Sequence, residues 1–120
     1  MDILILILRI IFGLFFGYAG FMHFKKPNFF NGFIPDFLPK LTVNYIFGFI
    51  EFILGIGLFF NQTVNNAALG IFILMILFLP IHVWDLTKEK PAIGSKKKAI
   101  IRILLQFILM YCTYLIYINS

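Results

Sequence analysis

The sequence predicts an all-α integral membrane protein, a four-helix bundle with an interfacial loop between helices 1 and 2. Three observations carry that prediction. Of 120 residues, 62% are hydrophobic and only 12% charged, whereas a soluble domain runs at roughly 45–50% apolar and about 25% charged. The apolar residues gather in four runs, at 3–24, 42–60, 67–84 and 99–118, each close to the roughly 20 residues that carry a helix across about 30 Å of hydrocarbon. The lysines fall between the runs. Four spans and their connections use the whole of 1–120 as a single transmembrane domain, with no length left for a soluble one.

The first run, "ILILILRIIFGLFFGYAGFMHF", is expected to stay in the protein rather than be removed as a signal peptide. Asp2 stands where a basic n-region belongs, the apolar stretch exceeds an h-region, and no small-x-small site follows. Arg9 is the anomaly in this run. A guanidinium keeps its charge, and placing it in hydrocarbon costs at least a few kcal/mol. At about 100° per residue, Arg9, Gly13, Gly17, Gly20 and His23 share one third of the helix circumference. Gly13 and Gly17 form a GxxxG step that lets another helix approach closely.

The connection "KKPNFFNGFIPDFLPK" holds three prolines and four phenylalanines. It is too broken for a long helix and too apolar for a solvated linker. Phenylalanines among lysines suit the headgroup boundary, either as a cap over one end of the bundle or as a plain membrane-hugging loop.

The second run repeats the polar stripe with Asn44, Gly48, Glu51 and Gly55, spaced four, three and four. The turn "NQTVNN" follows; its Asn61-Gln62-Thr63 sequon lies too close to the bilayer to be a good acceptor. The third run carries Pro80, expected to kink the helix, and then "HVWD". His82 and Asp85 stand three apart on one face, spaced for a proton relay or marking where the span leaves the bilayer beside Trp84. The polar connection "DLTKEKPAIGSKKK" is broken by Pro91 and Gly94, and the fourth run lines up Arg102, Gln106, Thr113 and Tyr117.

Three stripes of small and polar residues should converge on one interior. Counting depth at 1.5 Å per residue puts Arg9 and Glu51 at similar levels on antiparallel helices. The expected ion pair is therefore Arg9–Glu51, serving structure or a ligand, in room left by Gly48 and Gly55. His23, His82, Asp85, Arg102 and Gln106 form a second group nearer the other end, with Asn44, Thr113 and Tyr117 as further interior polar residues. Two histidines with no thiolate or suitably spaced carboxylate argue for no metal site. The single Cys112 excludes an internal disulfide, a CxxC pair and a cysteine metal site.

The net charge of +5 sits in two places. Lys25, Lys26 and Lys40 lie between spans one and two, and Lys88, Lys90, Lys96, Lys97 and Lys98 between spans three and four. The positive-inside rule puts both loops in the cytoplasm and both termini outside, near anionic headgroups. "SKKK" lacks the aromatic or glycine interleaving of a nucleic-acid surface, so no nucleic acid is expected. Abundant Ile, Phe, Lys and Asn fit an AT-rich bacterial genome, and hence a bacterial cytoplasmic membrane.

In their order and spacing, "RIIFGLFFGYAGFMHFKKPNFF", "IPDFLP", "YIFGFIEFILGIGLF", "LPIHVWDL" and "RILLQFIL" resemble the DoxX-like family of small four-helix membrane proteins. The resemblance covers nearly the whole chain. It implies a bundle with a polar interior whose functional positions are Arg9, His23, Glu51, Arg102 and Gln106. It also implies association with quinone-coupled or redox-defence membrane complexes, or, by distant relatives, chaperone work. The absence of a cysteine pair departs from members dedicated to thiol chemistry.

Two functions follow as expectations. One is a binding protein holding a small apolar or quinone-like molecule, as an accessory to a membrane oxidoreductase, with no redox centre of its own. The other is an assembly factor with a packed interior, acting on a membrane protein partner or as a homo-oligomer. Four short spans without an inverted repeat offer little for alternating-access transport.

Overall fold

The computed structural model describes residues 2–120, with side chains from Ile3 onward. In chain order it has α1 (Asp2–Lys25), a 3₁₀ segment (Pro27–Phe33), α2 (Lys40–Gly57), α3 (Val64–Thr87) and α4 (Lys96–Ile118). Among the described residues there is no strand. By length and composition all four α-helices can cross a membrane.

The helix ends follow local chemistry. α2 starts directly after Pro39, whose carbonyl accepts its first helical bond from Val43 N–H at 3.0 Å. It stops at Gly57, three residues short of the expected span, because the chain turns through Leu58–Thr63. There Thr63 Oγ1 donates to the Gly57 carbonyl at 2.7 Å. α3 is longer than its apolar run and continues through Pro80. Ser95 caps α4, its Oγ accepting from Lys98 N–H at 3.2 Å. Gly94 precedes it with φ +125°, a backbone shape that favours glycine.

The helices pack as two antiparallel hairpins, α1 with α2 and α3 with α4, and the seam between hairpins is the looser contact. Glycines set the α1–α2 distance. A Cβ on Gly20 would stand 2.5 Å from both the Gly48 carbonyl oxygen and the Phe52 nitrogen, and one on Gly55 would stand 2.6 Å from the Gly17 nitrogen. The backbones therefore touch with no side chain between them. Gly17 contributes backbone only, since a Cβ there would meet nothing within 4 Å. Gly70 does similar service for Leu54 of α2, 2.7 Å from the Cβ it lacks.

The seam has two halves of opposite character. Toward the chain termini, Phe12, Phe16, Leu58, Ala68, Ile71, Leu109 and Ile116 form an apolar core. Toward the lysine-bearing loops, the buried groups include five polar ones: His23, Asn44, Glu51, Asp85 and Gln106. The outer faces present Leu14, Phe49, Leu77, Leu104 and many similar side chains, a surface suited to hydrocarbon rather than water.

Candidate functional site

Asn44 is the hub of the polar half. The four buried residues of α2 are Asn44, Gly48, Glu51 and Gly55, so this helix turns its stripe fully inward. The Asn44 side-chain amide donates to the carbonyls of Lys40 at 3.0 Å and Pro27 at 3.2 Å, and to Asn31 Oδ1 at 3.1 Å. Two carbonyls can only accept, so they fix which end of the amide is the NH2 group. Asn44 Oδ1 then faces His23 Nδ1 at 2.8 Å, and Nδ1 must carry the hydrogen.

His23 Nε2 lies 3.3 Å from Glu51 Oε1, with both side chains almost fully buried. Phe30 of the 3₁₀ segment stacks on the His23 ring, with centroids 3.8 Å apart, and closes the network at the lysine-bearing end.

Across the seam, Arg102 Nη1 donates to Gln106 Oε1 at 2.8 Å. Gln106 is wholly buried, and its NH2 group donates to the Met75 carbonyl at 2.8 Å. Among the described residues no carboxylate oxygen lies within 4.0 Å of the guanidinium. The Glu51 acid of one hairpin and the Arg102 guanidinium of the other are thus not paired with each other.

The expected Arg9–Glu51 ion pair does not form. Glu51 meets His23, and Arg9 Nε donates to the Leu58 carbonyl at 2.8 Å. The reason is register. Gly20 faces Gly48 and Gly13 faces Gly55 and Phe59, so α1 overhangs the end of α2 and Arg9 stands level with the α2–α3 turn. Leu58 and Glu51 are seven residues apart, about 10 Å along a helix. Arg9 lines a recess of about 310 Å³ with Asn61, Asn119 and Ser120 at the termini end. The overhang and this polar recess are what make an arginine tolerable in the first span.

The His82–Asp85 relay also does not form. Buried Asp85 instead accepts from the backbone N–H groups of Ala92 at 2.7 Å and Ile93 at 3.3 Å, and meets Lys88 Nζ at 3.3 Å. It pins the α3–α4 loop. His82 packs edge-on against Phe33, with centroids 5.7 Å apart. A groove of about 650 Å³ lies nearby between Pro35, Phe37, Pro80 and Trp84, and neither His23, Glu51 nor Arg102 lines it.

A family model described as Domain of unknown function (DUF8561) matches residues 12–116. The chain belongs to that family. No curated protein and no solved structure matches it. The matched region of this DUF8561 member takes in His23, Asn44, Glu51, Arg102 and Gln106, and leaves out Arg9.

Two other expected interior residues of the DUF8561 chain lie apart from this network. Thr113 donates back to the Leu109 and Met110 carbonyls, both at 3.0 Å, deep in the apolar half. Tyr117 flanks that same core. Sequence reading missed Phe30, Asn31, the Pro27 carbonyl and Met75. The first three come from an aperiodic loop and Met75 from an apolar helix, and no spacing rule singles them out.

Proposed function

We propose that this protein spans a bacterial cytoplasmic membrane with its lysine-bearing loops inside, and binds a small amphiphilic molecule between its two hairpins. One observation carries the reading: the buried Glu51 of one hairpin and the half-buried Arg102 of the other are not paired with each other. That leaves an acceptor on one side and several N–H donors on the other, about where a ligand's polar end would sit. The seam is loose enough to part, and the apolar core and outer faces suit the ligand's hydrocarbon portion. A quinone-like ligand, and service as an accessory to a membrane oxidoreductase, are favoured by the sequence's resemblance to the DoxX-like family. The connection between α1 and α2, with Phe29 and Phe37 outward, is read as an interfacial cap.

Thermal unfolding in detergent tests this. A quinone or membrane lipid extract should stabilise the wild type, and Glu51→Gln should reduce the effect. Equal stabilisation of both, or of neither, would overturn the binding reading.

A second reading, an assembly factor for another membrane protein, is favoured by a different observation. Among the described residues no buried side-chain polar atom lacks a hydrogen-bond partner, as in an interior that needs nothing from a ligand. Crosslinking in native membranes should then recover one dominant client, and a broad spread of neighbours would count against it.

A further inference from the structure

Arg102 has no acid to answer it. Glu51 is taken up by His23, 3.3 Å away on the same hairpin. His82 can add only zero or positive charge. Asp85 is committed to two backbone N–H groups and to Lys88. The remaining acids are remote: Asp36 and Glu89 stand in exposed loops, Asp36 already paired with Lys40 at 2.9 Å, and Asp2 begins α1 at the opposite end. Among the described residues, Arg102 is left as one guanidinium charge with a single hydrogen bond to a neutral amide. It lies six residues into α4, about 9 Å from the helix start, on a half-buried surface. A cation so placed is costly unless an anion joins it.

Resting on the binding reading above, we infer that Arg102 takes the anionic head of an amphiphile, an alkyl chain ending in a carboxylate or phosphate. The guanidinium fork matches either oxyanion through two parallel N–H bonds. Gln106 holds one Nη and orients the fork, and its own amide is anchored by Met75. A phospholipid headgroup and a free fatty acid share this chemistry.

The test uses the whole purified protein in a neutral detergent, with ligands of matched chain length. Oleate and oleyl alcohol differ only in the head; dioleoyl phosphatidylglycerol and dioleoyl phosphatidylcholine separate a net anionic lipid from a zwitterionic one; decylubiquinone supplies a neutral ring. Oleate or phosphatidylglycerol should bind at least about ten-fold more tightly than its uncharged or zwitterionic counterpart. Whichever anion wins identifies the source. Arg102→Gln should abolish the preference, while Arg102→Lys keeps the charge, loses the fork and should retain part of it. Should Arg102→Gln fail to fold, the head-group comparison on the wild type still decides. Equal binding of oleate and oleyl alcohol, or an intact preference in Arg102→Gln, overturns the inference. Decylubiquinone binding without any anion preference overturns it while leaving the binding reading standing; no ligand binding at all removes both.

Discussion

His23 Nε2 on α1 and Glu51 Oε1 on α2 lie 3.3 Å apart at the glycine-lined crossing of the first hairpin. The crossing brings them together: a Cβ on Gly48 would stand 2.6 Å from the His23 Cβ. Any larger residue at Gly48 would push the imidazole off its partner.

A double-mutant cycle on this pair should show coupling. His23→Ala and Glu51→Ala each strand a nearly buried polar group, whereas the double variant strands neither. The coupling energy should be on the order of 1–2 kcal/mol, measured by denaturant unfolding in detergent. Additive losses would mean that the contact is incidental.

The same cycle on Arg9 and Glu51 should show none. With their backbones about 10 Å or more apart along the helix direction, Arg9→Leu and Glu51→Leu should add to within about 0.5 kcal/mol. A larger coupling would put the α1–α2 register in question.

Gly20 and Gly17 should respond oppositely to alanine. At Gly20 the new methyl meets backbone on both sides, and the loss should be about 1–3 kcal/mol. At Gly17 it meets open space, and the helix should gain up to about 1 kcal/mol from the better helix former. Paired thermal melts would show the contrast.

Asp85→Ala should free the α3–α4 loop while leaving the helices in place. Amide exchange should quicken at Ala92 and Ile93 first, with a global loss of about 1–3 kcal/mol from the two stranded N–H groups. Unchanged protection at both amides would be inconsistent with the carboxylate holding them.

Asn44→Ala should loosen the 3₁₀ segment. It deletes the donor to Pro27 and Asn31 and the acceptor for His23, so exchange across 27–34 should rise ahead of exchange in α2. Simultaneous rise in both would mean the segment is held by other contacts, such as Lys88 Nζ on the Gly32 carbonyl at 2.6 Å.

The helices were legible because hydropathy reports length and composition, and both suffice for a span. The inward face of α2 was legible too, since Asn44, Gly48, Glu51 and Gly55 repeat at helical spacing among Ile, Leu and Phe. What could not be read was the partner of Glu51. Arg9 and His23 lie on the same face of α1, and choosing between them needs the axial register of two helices. Counting inward from apolar run ends missed that register, because α2 stops at Gly57 and α1 overhangs it. The Phe30 stack and the Pro27 carbonyl were hidden for another reason: a 3₁₀ segment has no apolar period to betray which side faces in.

Both polar clusters close within their own hairpin. The bonds among His23, Pro27, Asn31, Asn44 and Glu51 all lie before residue 52, and those among Met75, Arg102 and Gln106 all lie from residue 75 onward. During synthesis the first hairpin can therefore form with Glu51 already against His23, before the third helix has emerged. Assembly then reduces to two preformed halves meeting side by side, and splitting the gene at the Leu58–Thr63 turn should still give partners that find each other.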